Sequence, residues 1–473
     1  MAYELVIGLE THVELSTESK LFCSCGGHAK GSEPNDCVCP ACSGMPGMLP
    51  VVNKHAIELA VKAGIMLNCE ISKYTTFDKK SYYYPDLPAS YQTTQWFNPI
   101  CKNGLVEVET PAGIRKIGIK QIHVEEDAGK LVHTATVSLV DYNRTGVPLI
   151  EIVTRPDFRS AEEVITYLKT LKSKLQFAGI SECEEGAMRC DVNISVRPEG
   201  EEKLGVRTEI KNMSSLTAIE EAINKEAIRH IDAIERGTDE LVQETRRWDD
   251  VKKRTTSMRN KETAADYRYF PDPNVMPVII DDEWMAAIRA SMPATTAEII
   301  AKYVSMGIPG KEAKQIVAEV TLSSLLDKLI ELGIDAKTAS AWIITDCVGI
   351  LRKNGKHIKD LSIEPSKLAA IIRLVSEGKI TRGSGKTVLA EVLETGADPE
   401  KICEAKDLFI RNDAGALEEV CRKVLGNNAA AVEDYRSGKT KAFQSLFGGV
   451  MRELHGTGDP AVIRSLLEKL LSE

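Results

Sequence analysis

The sequence predicts an α+β protein in which a mixed strand-and-helix domain precedes an all-helical region. Up to about residue 282, short alternating runs such as 6–9 and 192–196 indicate strands, and amphipathic helices interrupt them. After about residue 283 this alternation nearly disappears and helical spacing recurs. We therefore expect three parts, which are a mixed-sheet domain over 1–290, a helical domain over 291–405 and a small helical tail over 406–473.

The sequence predicts two helices in the first part. Ser160, followed three residues later by Glu163, predicts a capping box and a helix that runs through Leu175. Apolar residues at helical spacing predict a second helix, at Leu216, Ile219, Ile223, Ala227, Ile231 and Ile234. Later in the chain, we expect helices over 297–304, 322–332, 339–351 and 365–377.

Composition excludes several classes of protein. Hydrophobic residues make up 43% of the 473 residues, which is too many for a disordered chain. The net charge of −9 argues against broad nucleic-acid binding, although RNA can still be recognised by shape or by a local basic patch. We find neither a membrane-length apolar run nor a signal-peptide pattern, so we expect a cytoplasmic protein that does not contact membranes.

Five of the 12 cysteines are concentrated in one short segment, residues 23–42. Cys23 and Cys25 form a CxC pair, and Cys39 and Cys42 form a CxxC pair, so a turn between them can place four thiolates around Zn²⁺. Four protein ligands leave no open position, which indicates a structural zinc. Cys37 is a surplus thiol that could replace Cys39, and free thiols in a loop are the alternative interpretation.

Acidic side chains recur on several predicted strands. Period-two alternation puts Glu10, His12 and Glu14 on one face of the first strand. Three consecutive acids that begin at Glu125 are costly to hold together unless a cation neutralises them. Glu151 interrupts an apolar strand, where a charge is not buried without a partner or a metal.

Several carboxylates and one imidazole would suit Mg²⁺, which prefers oxygen ligands and bridges nucleotide phosphates. We therefore predict that His12, Glu125 and Glu151, with Glu10 nearby, ligate Mg²⁺. The alternative is that the polar faces of these strands are exposed to solvent and bind no metal.

The segment Gly383–Thr387 is similar to the end of a phosphate-binding P-loop. The complete pattern needs a glycine five positions before Gly385, where this chain has Ile380, and the preceding segment is helical in pattern. We therefore expect a turn that connects two helices.

A set of long, ordered motifs resembles one family, the B subunits of the tRNA-dependent amidotransferases and their archaeal E-subunit relatives. The resemblance covers about the first 275 residues and continues more weakly through Gly438–Lys439 and Gly448–Met451. The matching motifs are Gly8–Leu15, Tyr84–Pro88, His123–Lys130, Asp141–Val153, Met188–Pro198, Glu209–Asn212 and Asp266–Pro273.

This resemblance implies a cradle-like catalytic domain, then a helical domain and a helical tail that contacts tRNA. The zinc-binding insertion that the cysteine spacing predicts, residues 23–42, lies in the first of these. The resemblance also implies a reaction in which ATP phosphorylates the side-chain carboxylate of Glu on tRNA(Gln), or of Asp on tRNA(Asn), and ammonia displaces the phosphate. The ammonia would come from a glutaminase A subunit, and a small C subunit would complete a heterotrimer. The sequence leaves open which misacylated tRNA is used.

Within that reaction we expect catalytic roles for Glu10, His12, Lys79, Glu125 and Glu151. Roles in ATP binding, ammonia passage or a second metal site are expected for Glu126, Arg189, Asp191, Glu209 and Lys211. The alternative is a non-catalytic, zinc-containing tRNA-binding subunit. That alternative explains the cysteines and the tail but leaves the acids on at least four strands without a role.

Overall fold

The computed structural model describes residues 2–27, 31–111, 113–184, 186–213, 215–237, 241–260, 267–410, 414–437, 439, 441–454 and 457–472. The chain divides into two compact units, Met1–Thr296 and Ala297–Glu473. A large mixed sheet with helices forms the first unit, and the described part of the second is helical. The predicted α+β class, with strands before an all-helical region, is confirmed.

The strands are short except at the centre of the first unit. In chain order they are β1 (Tyr3–Glu14), β2 (Glu70–Ile71), β3 (Tyr74–Thr75), β4 (Asp78–Ser81), β5 (Tyr91–Thr94), β6 (Cys101–Thr110), β7 (Gly113–Glu126), β8 (Lys130–His133), β9 (Ser138–Asp141), β10 (Pro148–Thr154), β11 (Met188–Pro198), β12 (Thr208–Met213), β13 (Glu244–Asp249), β14 (Arg254–Asn260), β15 (Phe270–Pro271) and β16 (Val278–Ile279).

Of the helices formed by the described residues, the first four lie within the first unit, the fifth begins at its last residue, Thr296, and the rest follow in the second. They are α1 (Lys54–Met66), α2 (Ala161–Phe177), α3 (Leu216–Arg236), α4 (Asp282–Ala290), α5 (Thr296–Ser305), α6 (Gly310–Val317), α7 (Val320–Glu331), α8 (Ala336–Ala341), α9 (Val348–Lys353), α10 (Pro365–Ser376), α11 (Arg382–Thr395), α12 (Pro399–Ala405), α13 (Ala414–Asn427), α14 (Ala429–Arg436), α15 (Lys441–Glu453) and α16 (Pro460–Ser472). A π-helical segment, Trp342–Cys347, joins α8 to α9. None of the described helices combines the length and apolar character needed to cross a bilayer.

Within the described chain, nine strands form one sheet in the order β14-β13-β12-β11-β1-β10-β7-β6-β2. The β12–β13 pair is parallel and the other neighbours in this sheet are antiparallel. The first strand of the sequence therefore lies at the centre of the sheet, between β10 and β11.

Strand β1 separates an apolar core from a polar face. Ile7, Leu9 and Val13 are buried in one cluster with side chains of α1, α2 and α3. Glu10 and His12 alternate with them and therefore lie on the opposite face. The predicted period-two alternation of this strand is confirmed, and the face that carries the acids is the one not packed against this core.

The start of α2 confirms the predicted cap at Ser160 with one difference. The Ser160 side chain accepts a hydrogen bond from the backbone N–H of Glu163 at 3.2 Å. The reciprocal bond of a capping box is absent, since the Glu163 carboxylate accepts from the backbone N–H of Arg159 instead, at 2.7 Å. The Glu163 carboxylate thus accepts from the backbone N–H of the residue before the N-cap, rather than from that of Ser160 itself.

The segment that is similar to a P-loop begins within α11, rather than in the connecting turn that we expected. A β-carbon at Gly385 would lie 2.7 Å from Cγ2 of Val375, so glycine allows two helices to pack closely. The Nζ atom of Lys386 lies 3.2 Å from Oδ1 of Asp346. The glycine and the lysine therefore have local roles in helix packing and ion pairing.

The end of the chain has an apolar cluster of its own. Its buried residues are Leu417, Cys421, Val424, Val450, Leu454, Ile463, Leu467 and Leu470, from α13, α15 and α16 and the residue after α15. Gly438 of the sequence motif in this region, like Asp266 of the earlier motif, lies outside the described residues.

Candidate active site

Strand register aligns charged side chains across the centre of the sheet. His12 on β1 is opposite Glu151 on β10, which is in turn opposite His123 on β7. Directly opposed residues project from the same face of the sheet, so the three side chains meet. The Oε2 atom of Glu151 lies 3.5 Å from Nε2 of His12 and 2.9 Å from Nε2 of His123.

Glu125, two residues after His123 on β7, completes a candidate metal site. Its Oε1 atom lies 3.2 Å from Nε2 of His123 and accepts a hydrogen bond from the Thr94 hydroxyl at 2.6 Å. One ligand atom from each of His12, Glu125 and Glu151 lies within 4.8 Å of the others. This spacing suits a divalent cation with ligand bonds of about 2.0–2.6 Å, so the structure brings three predicted ligands together.

His12, Glu125 and Glu151, the metal triad, lie against His123, and the two histidines and the two carboxylates stabilise one another's charged forms. Burial raises the pKa of Glu151, but His123 and His12 outweigh it and hold the pKa well below its usual range. Burial lowers the pKa of His123, but Glu151 and Glu125 raise it to about 10. Burial also opposes protonation of His12, yet its hydrogen bond to Glu151 leaves its pKa raised. A bound cation would replace this proton, because an imidazole ligand must be neutral.

A second acidic cluster contains Glu10, Asp191 and Glu209, with one oxygen from each within 4.8 Å of the others. The Nζ atom of Lys211 lies 2.9 Å from both Asp191 and Glu209. The sequence grouped Glu10 with the triad, whereas the structure places it here. The reason is its neighbours across the sheet, which are apolar Val153 on β10 and acidic Asp191 on β11. Burial and the nearby carboxylates raise the pKa of Glu10.

Lys79, Glu126 and Arg189 lie apart from both clusters. The Nζ atom of Lys79 lies 3.5 Å from Asp272 and 4.2 Å from the centre of the Tyr91 ring. Glu126 follows Glu125 and falls on the other side of β7, where it accepts a hydrogen bond from the backbone N–H of Thr93 at 3.0 Å. Burial raises the pKa of Glu126 to about 7.

Arg189 is opposite His12 in the register of β1 and β11. Its guanidinium nevertheless pairs with Asp127 and lies 3.8 Å from Glu14. Burial disfavours the guanidinium charge, but Asp127 and Glu14 raise the pKa of Arg189. Its positive charge is therefore directed to the far end of β1, away from Glu10 and Asp191.

Sequence reasoning missed His123 and Lys80. The two-residue alternation of side chains along a strand would have placed His123 on the same face of β7 as Glu125, as it placed His12 on the same face of β1 as Glu10. Lys80 has no such signal, because adjacent lysines do not show which one faces the site. Burial opposes the charge of Lys80, but Glu125 and other neighbours raise its pKa. Its Nζ atom donates a hydrogen bond at 3.4 Å to Gln92, whose amide donates to Glu125 at 3.1 Å.

Four of the clustered cysteines lie together. The Sγ atom of Cys42 is 3.8 Å from that of Cys39 and 4.0 Å from that of Cys25. Zn–S bonds of about 2.3 Å in a tetrahedron place the sulfurs about 3.8 Å apart, so the spacing fits a metal. Cys23 belongs to the same group, whereas Cys37 lies outside it, with its thiol 3.5 Å from the Ser32 hydroxyl. This cluster could therefore bind a metal.

Comparison with known proteins relates both units to one family. Residues 5–286 match a family model described as GatB/GatE catalytic domain, and residues 324–471 match one described as GatB domain. A protein of Carboxydothermus hydrogenoformans, named as the B subunit of an aspartyl/glutamyl-tRNA(Asn/Gln) amidotransferase, is 44% identical over 479 residues, covering 100% of this chain and 99% of the relative.

Two further relatives carry the same name. The protein of Clostridium tetani is 44% identical over 473 residues, and that of Agathobacter rectalis is 45% identical over 474 residues. In both cases the match covers 99% of this chain and 99% of the relative. The chain therefore belongs to the GatB/GatE family of amidotransferase B subunits, as its motifs indicated.

Proposed function

We propose that this chain is the component of a glutamine-hydrolysing aminoacyl-tRNA amidotransferase that binds misacylated tRNA and activates its carboxylate with ATP. The observation that carries this proposal is the site formed by His12, Glu125 and Glu151 on three adjacent strands. The names of the relatives support the substrates, which are Glu-tRNA(Gln), Asp-tRNA(Asn) or both. The proposed complex is a cytoplasmic heterotrimer with a glutaminase A subunit and a small C subunit.

The proposed reaction has two displacements. An oxygen of the substrate carboxylate attacks the γ-phosphorus of ATP, the bond from that phosphorus to the bridging oxygen of ADP breaks, and an acyl phosphate forms. Ammonia then attacks the acyl carbon, loses a proton and displaces phosphate, which leaves the amide. Phosphorylation is needed because a carboxylate has no good leaving group.

The residues of the site have different proposed roles, which follow from their positions. Mg²⁺ held by His12, Glu125 and Glu151 would neutralise charge on the phosphate oxygens. His123 contacts Glu125 and Glu151 and holds both carboxylates oriented for that cation, and the charge of Lys80 helps to keep Glu125 ionised.

The remaining polar clusters have supporting roles in this proposal. Glu10, Asp191 and Glu209 offer acceptors that suit a second cation or ammonia on its way to the acyl carbon. Cys23, Cys25, Cys39 and Cys42 hold a structural zinc, which stabilises the loop between β1 and α1. The helical end of the chain contacts the tRNA.

The deciding experiment measures ADP formation by the complex of this chain with its A and C subunits, with and without misacylated tRNA. We expect ADP formation to depend on the tRNA. Glu151→Gln should lower the rate by about 100-fold or more while tRNA binding is kept, because it removes a metal ligand. Glu107→Gln, an exposed acid on β6 that pairs with Lys116, is the matched control and should leave the rate unchanged.

A different outcome would favour the non-catalytic alternative. If the wild-type complex binds the tRNA but forms no ADP, the chain is a zinc-containing tRNA-binding subunit. If Glu151→Gln and Glu107→Gln have the same rate as the wild type, the triad is not the phosphoryl-transfer site.

A further inference from the structure

Strand β5 reaches the metal triad from outside the nine-stranded sheet. It pairs with β4, which in turn pairs with β15, and these three strands form a small sheet of their own. Gln92 and Thr94 are two residues apart on β5 and therefore project from the same face of the strand. Both side chains are buried, and both donate hydrogen bonds to the carboxylate of Glu125 on β7. A second sheet thus supplies part of the surroundings of one predicted metal ligand.

Side-chain hydrogen bonds to the backbone of β7 fix β5 on either side of Glu125. The Nε2 atom of Gln92 donates to the backbone carbonyl oxygen of Glu126 at 2.9 Å. The side chain of Gln95, the residue after β5, accepts a hydrogen bond from the backbone N–H of Val124 at 3.0 Å. The position of β5 relative to Glu125 is therefore set by the backbone of β7.

Lys80 determines which way the amide of Gln92 points. The two residues are opposite each other in the register of β4 and β5, and the Nζ atom of Lys80 donates to Oε1 of Gln92 at 3.4 Å. The Nε2 atom of the amide faces two acceptors, which are the carboxylate of Glu125 and the carbonyl oxygen of Glu126. The reversed amide would direct its oxygen at both acceptors and its NH₂ group at an ammonium. Gln92 can therefore serve Glu125 only as a donor.

The carboxylate of Glu125 has few acceptor positions left. Its Oε1 atom accepts from the Thr94 hydroxyl at 2.6 Å and lies 3.2 Å from Nε2 of His123, and its Oε2 atom accepts from Gln92 at 3.1 Å. An ionised carboxylate offers about four lone-pair positions, so the donors among the described residues leave room for about one further bond. Chelation by both oxygens needs a free position on each of them.

Mg²⁺ and Ca²⁺ differ in what they require of a carboxylate. Mg²⁺ needs a nearly octahedral shell with bonds of about 2.0–2.1 Å and keeps several water ligands. Ca²⁺ takes about six to eight oxygens at roughly 2.3–2.6 Å, and one carboxylate often supplies two of them. A carboxylate that is restricted to one metal bond therefore suits Mg²⁺ and deprives Ca²⁺ of a ligand.

We propose that Gln92 and Thr94 are positioning residues that restrict Glu125 to one metal bond and thereby set the preference of the triad for Mg²⁺ over Ca²⁺. They act on the cation through Glu125, and Lys80 contributes by fixing the amide of Gln92. Removing either donor frees an oxygen position, which allows Glu125 to chelate Ca²⁺. This inference rests on the proposed function, because it concerns the cation of that function's phosphoryl-transfer site.

The test is displacement of Mn²⁺ by Mg²⁺ and by Ca²⁺ from the complex of this chain with its A and C subunits. Mn²⁺ suits the same oxygen ligands, and its EPR signal distinguishes the free ion from the bound ion. The Mn²⁺ binding that is lost in Glu151→Gln belongs to the triad, which separates it from the second acidic cluster. We expect Thr94→Val and Gln92→Met each to raise the ratio of Ca²⁺ affinity to Mg²⁺ affinity by about 5-fold or more. Both substitutions nearly keep the size of the side chain, and an unchanged melting temperature checks the fold.

Two further threonine variants are matched controls. Thr94→Ser keeps the hydroxyl that donates to Glu125, so it should keep the wild-type ratio of affinities. Thr93 projects from the opposite face of β5, and Thr93→Val leaves the backbone N–H that donates to Glu126 in place. It should also bind the two cations in the wild-type ratio.

Three results would overturn this inference alone. The first is a wild-type ratio in both Thr94→Val and Gln92→Met. The second is an equal loss of both affinities, which is expected if the two donors only stabilise a buried carboxylate. The third is a shift in Thr94→Ser as large as that in Thr94→Val, because the hydroxyl would then not be the cause. A wild-type complex in which no Mn²⁺ binding depends on Glu151 would instead overturn the metal site on which the proposed function rests, and this inference with it.

Discussion

The buried ammonium of Lys20 lies 3.6 Å from the sulfur of Cys42, within the cluster of four thiols. The same Nζ atom donates a hydrogen bond to the carbonyl oxygen of Cys37 at 2.8 Å. The hydrogen bond from Cys23, together with the charge of Lys20, lowers the pKa of Cys42 to about 4 against the effect of burial. Four thiolates around Zn²⁺ carry a net charge of about −2, which Lys20 partly neutralises.

Lys20→Met should therefore weaken zinc binding. The substitution keeps the apolar stem and removes the charge, so we expect the zinc affinity to fall by about 10- to 100-fold, as for other groups that support metal ligands. The measurement is zinc retained per chain during titration with a chelator. Lys169→Met, an exposed lysine on α2, is the control, and equal retention in the two variants would contradict the role of Lys20.

His123→Asn tests the histidine that sequence reasoning missed. Asparagine retains a hydrogen-bond donor but cannot carry the charge that holds Glu125 and Glu151 ionised. We expect metal-dependent ADP formation to fall by about 10- to 100-fold, with little change in the KM for tRNA. His133→Asn, an exposed histidine at the end of β8, should behave as the wild type. A loss confined to KM would assign His123 to tRNA binding instead.

The centre of the site could be predicted because strand periodicity is local. Alternation along β1 placed Glu10 and His12 on one face, and the lone acid in an apolar run identified Glu151. These signals need only one strand at a time. The thiol cluster was predictable for the same reason, since Cys23, Cys25, Cys39 and Cys42 lie within 20 residues of one another.

What could not be predicted depends on pairing between distant strands. Glu10 lies beside Asp191 and Glu209 because β1 lies between β10 and β11 in the sheet. Local sequence patterns do not predict this strand order. His123 and Glu125 face the polar side because of a bulge in β7 that is visible only in the register with β10. The inward position of Lys80 likewise depends on how β4 pairs with β5 and β15.

Removing the helical end should weaken tRNA binding and spare the phosphoryl-transfer site. The backbone N–H of Ile410 donates to the carbonyl oxygen of Lys379, so the cut belongs after Ile410 rather than at Lys406. Residues beyond this point have their own apolar core, and a module of this kind would recognise tRNA by shape. We expect the KM for misacylated tRNA to rise by about 10-fold or more with kcat largely kept.

A second variant separates charge from shape in this region. Lys439 already pairs with Asp434 at 2.7 Å, so Lys439→Ala should raise the KM much less than the truncation does. The measurement is transamidation across a range of tRNA concentrations. Loss of kcat at saturating tRNA in the truncated complex would count against a binding role for the module.

Stability should depend on pH through Glu226, a buried acid on α3. Its carboxylate accepts hydrogen bonds from Nε of Arg229 at 2.8 Å and from the Thr255 hydroxyl at 2.7 Å, and it lies 3.4 Å from Nε2 of His230. Burial opposes its ionisation, but His230, Arg229 and Thr255 outweigh that effect and lower the pKa from 4.5 to about 2. Folding therefore favours the ionised form of this group.

The depressed pKa fixes the sign and the pH window of the effect. Above pH 4.5 the group is ionised in both states and contributes its full stabilisation, about 3 kcal/mol for this shift, which is lost as the pH falls from 4.5 through 2. Glu226→Gln should thus destabilise the protein by up to about 3 kcal/mol at pH 7 and by much less near pH 3. Urea unfolding at a series of pH values measures this difference, with Glu221→Gln, a more exposed acid on the same helix, as the control. A difference between wild type and Glu226→Gln that stays constant from pH 6 to pH 3 would show that these hydrogen bonds do not hold the carboxylate ionised.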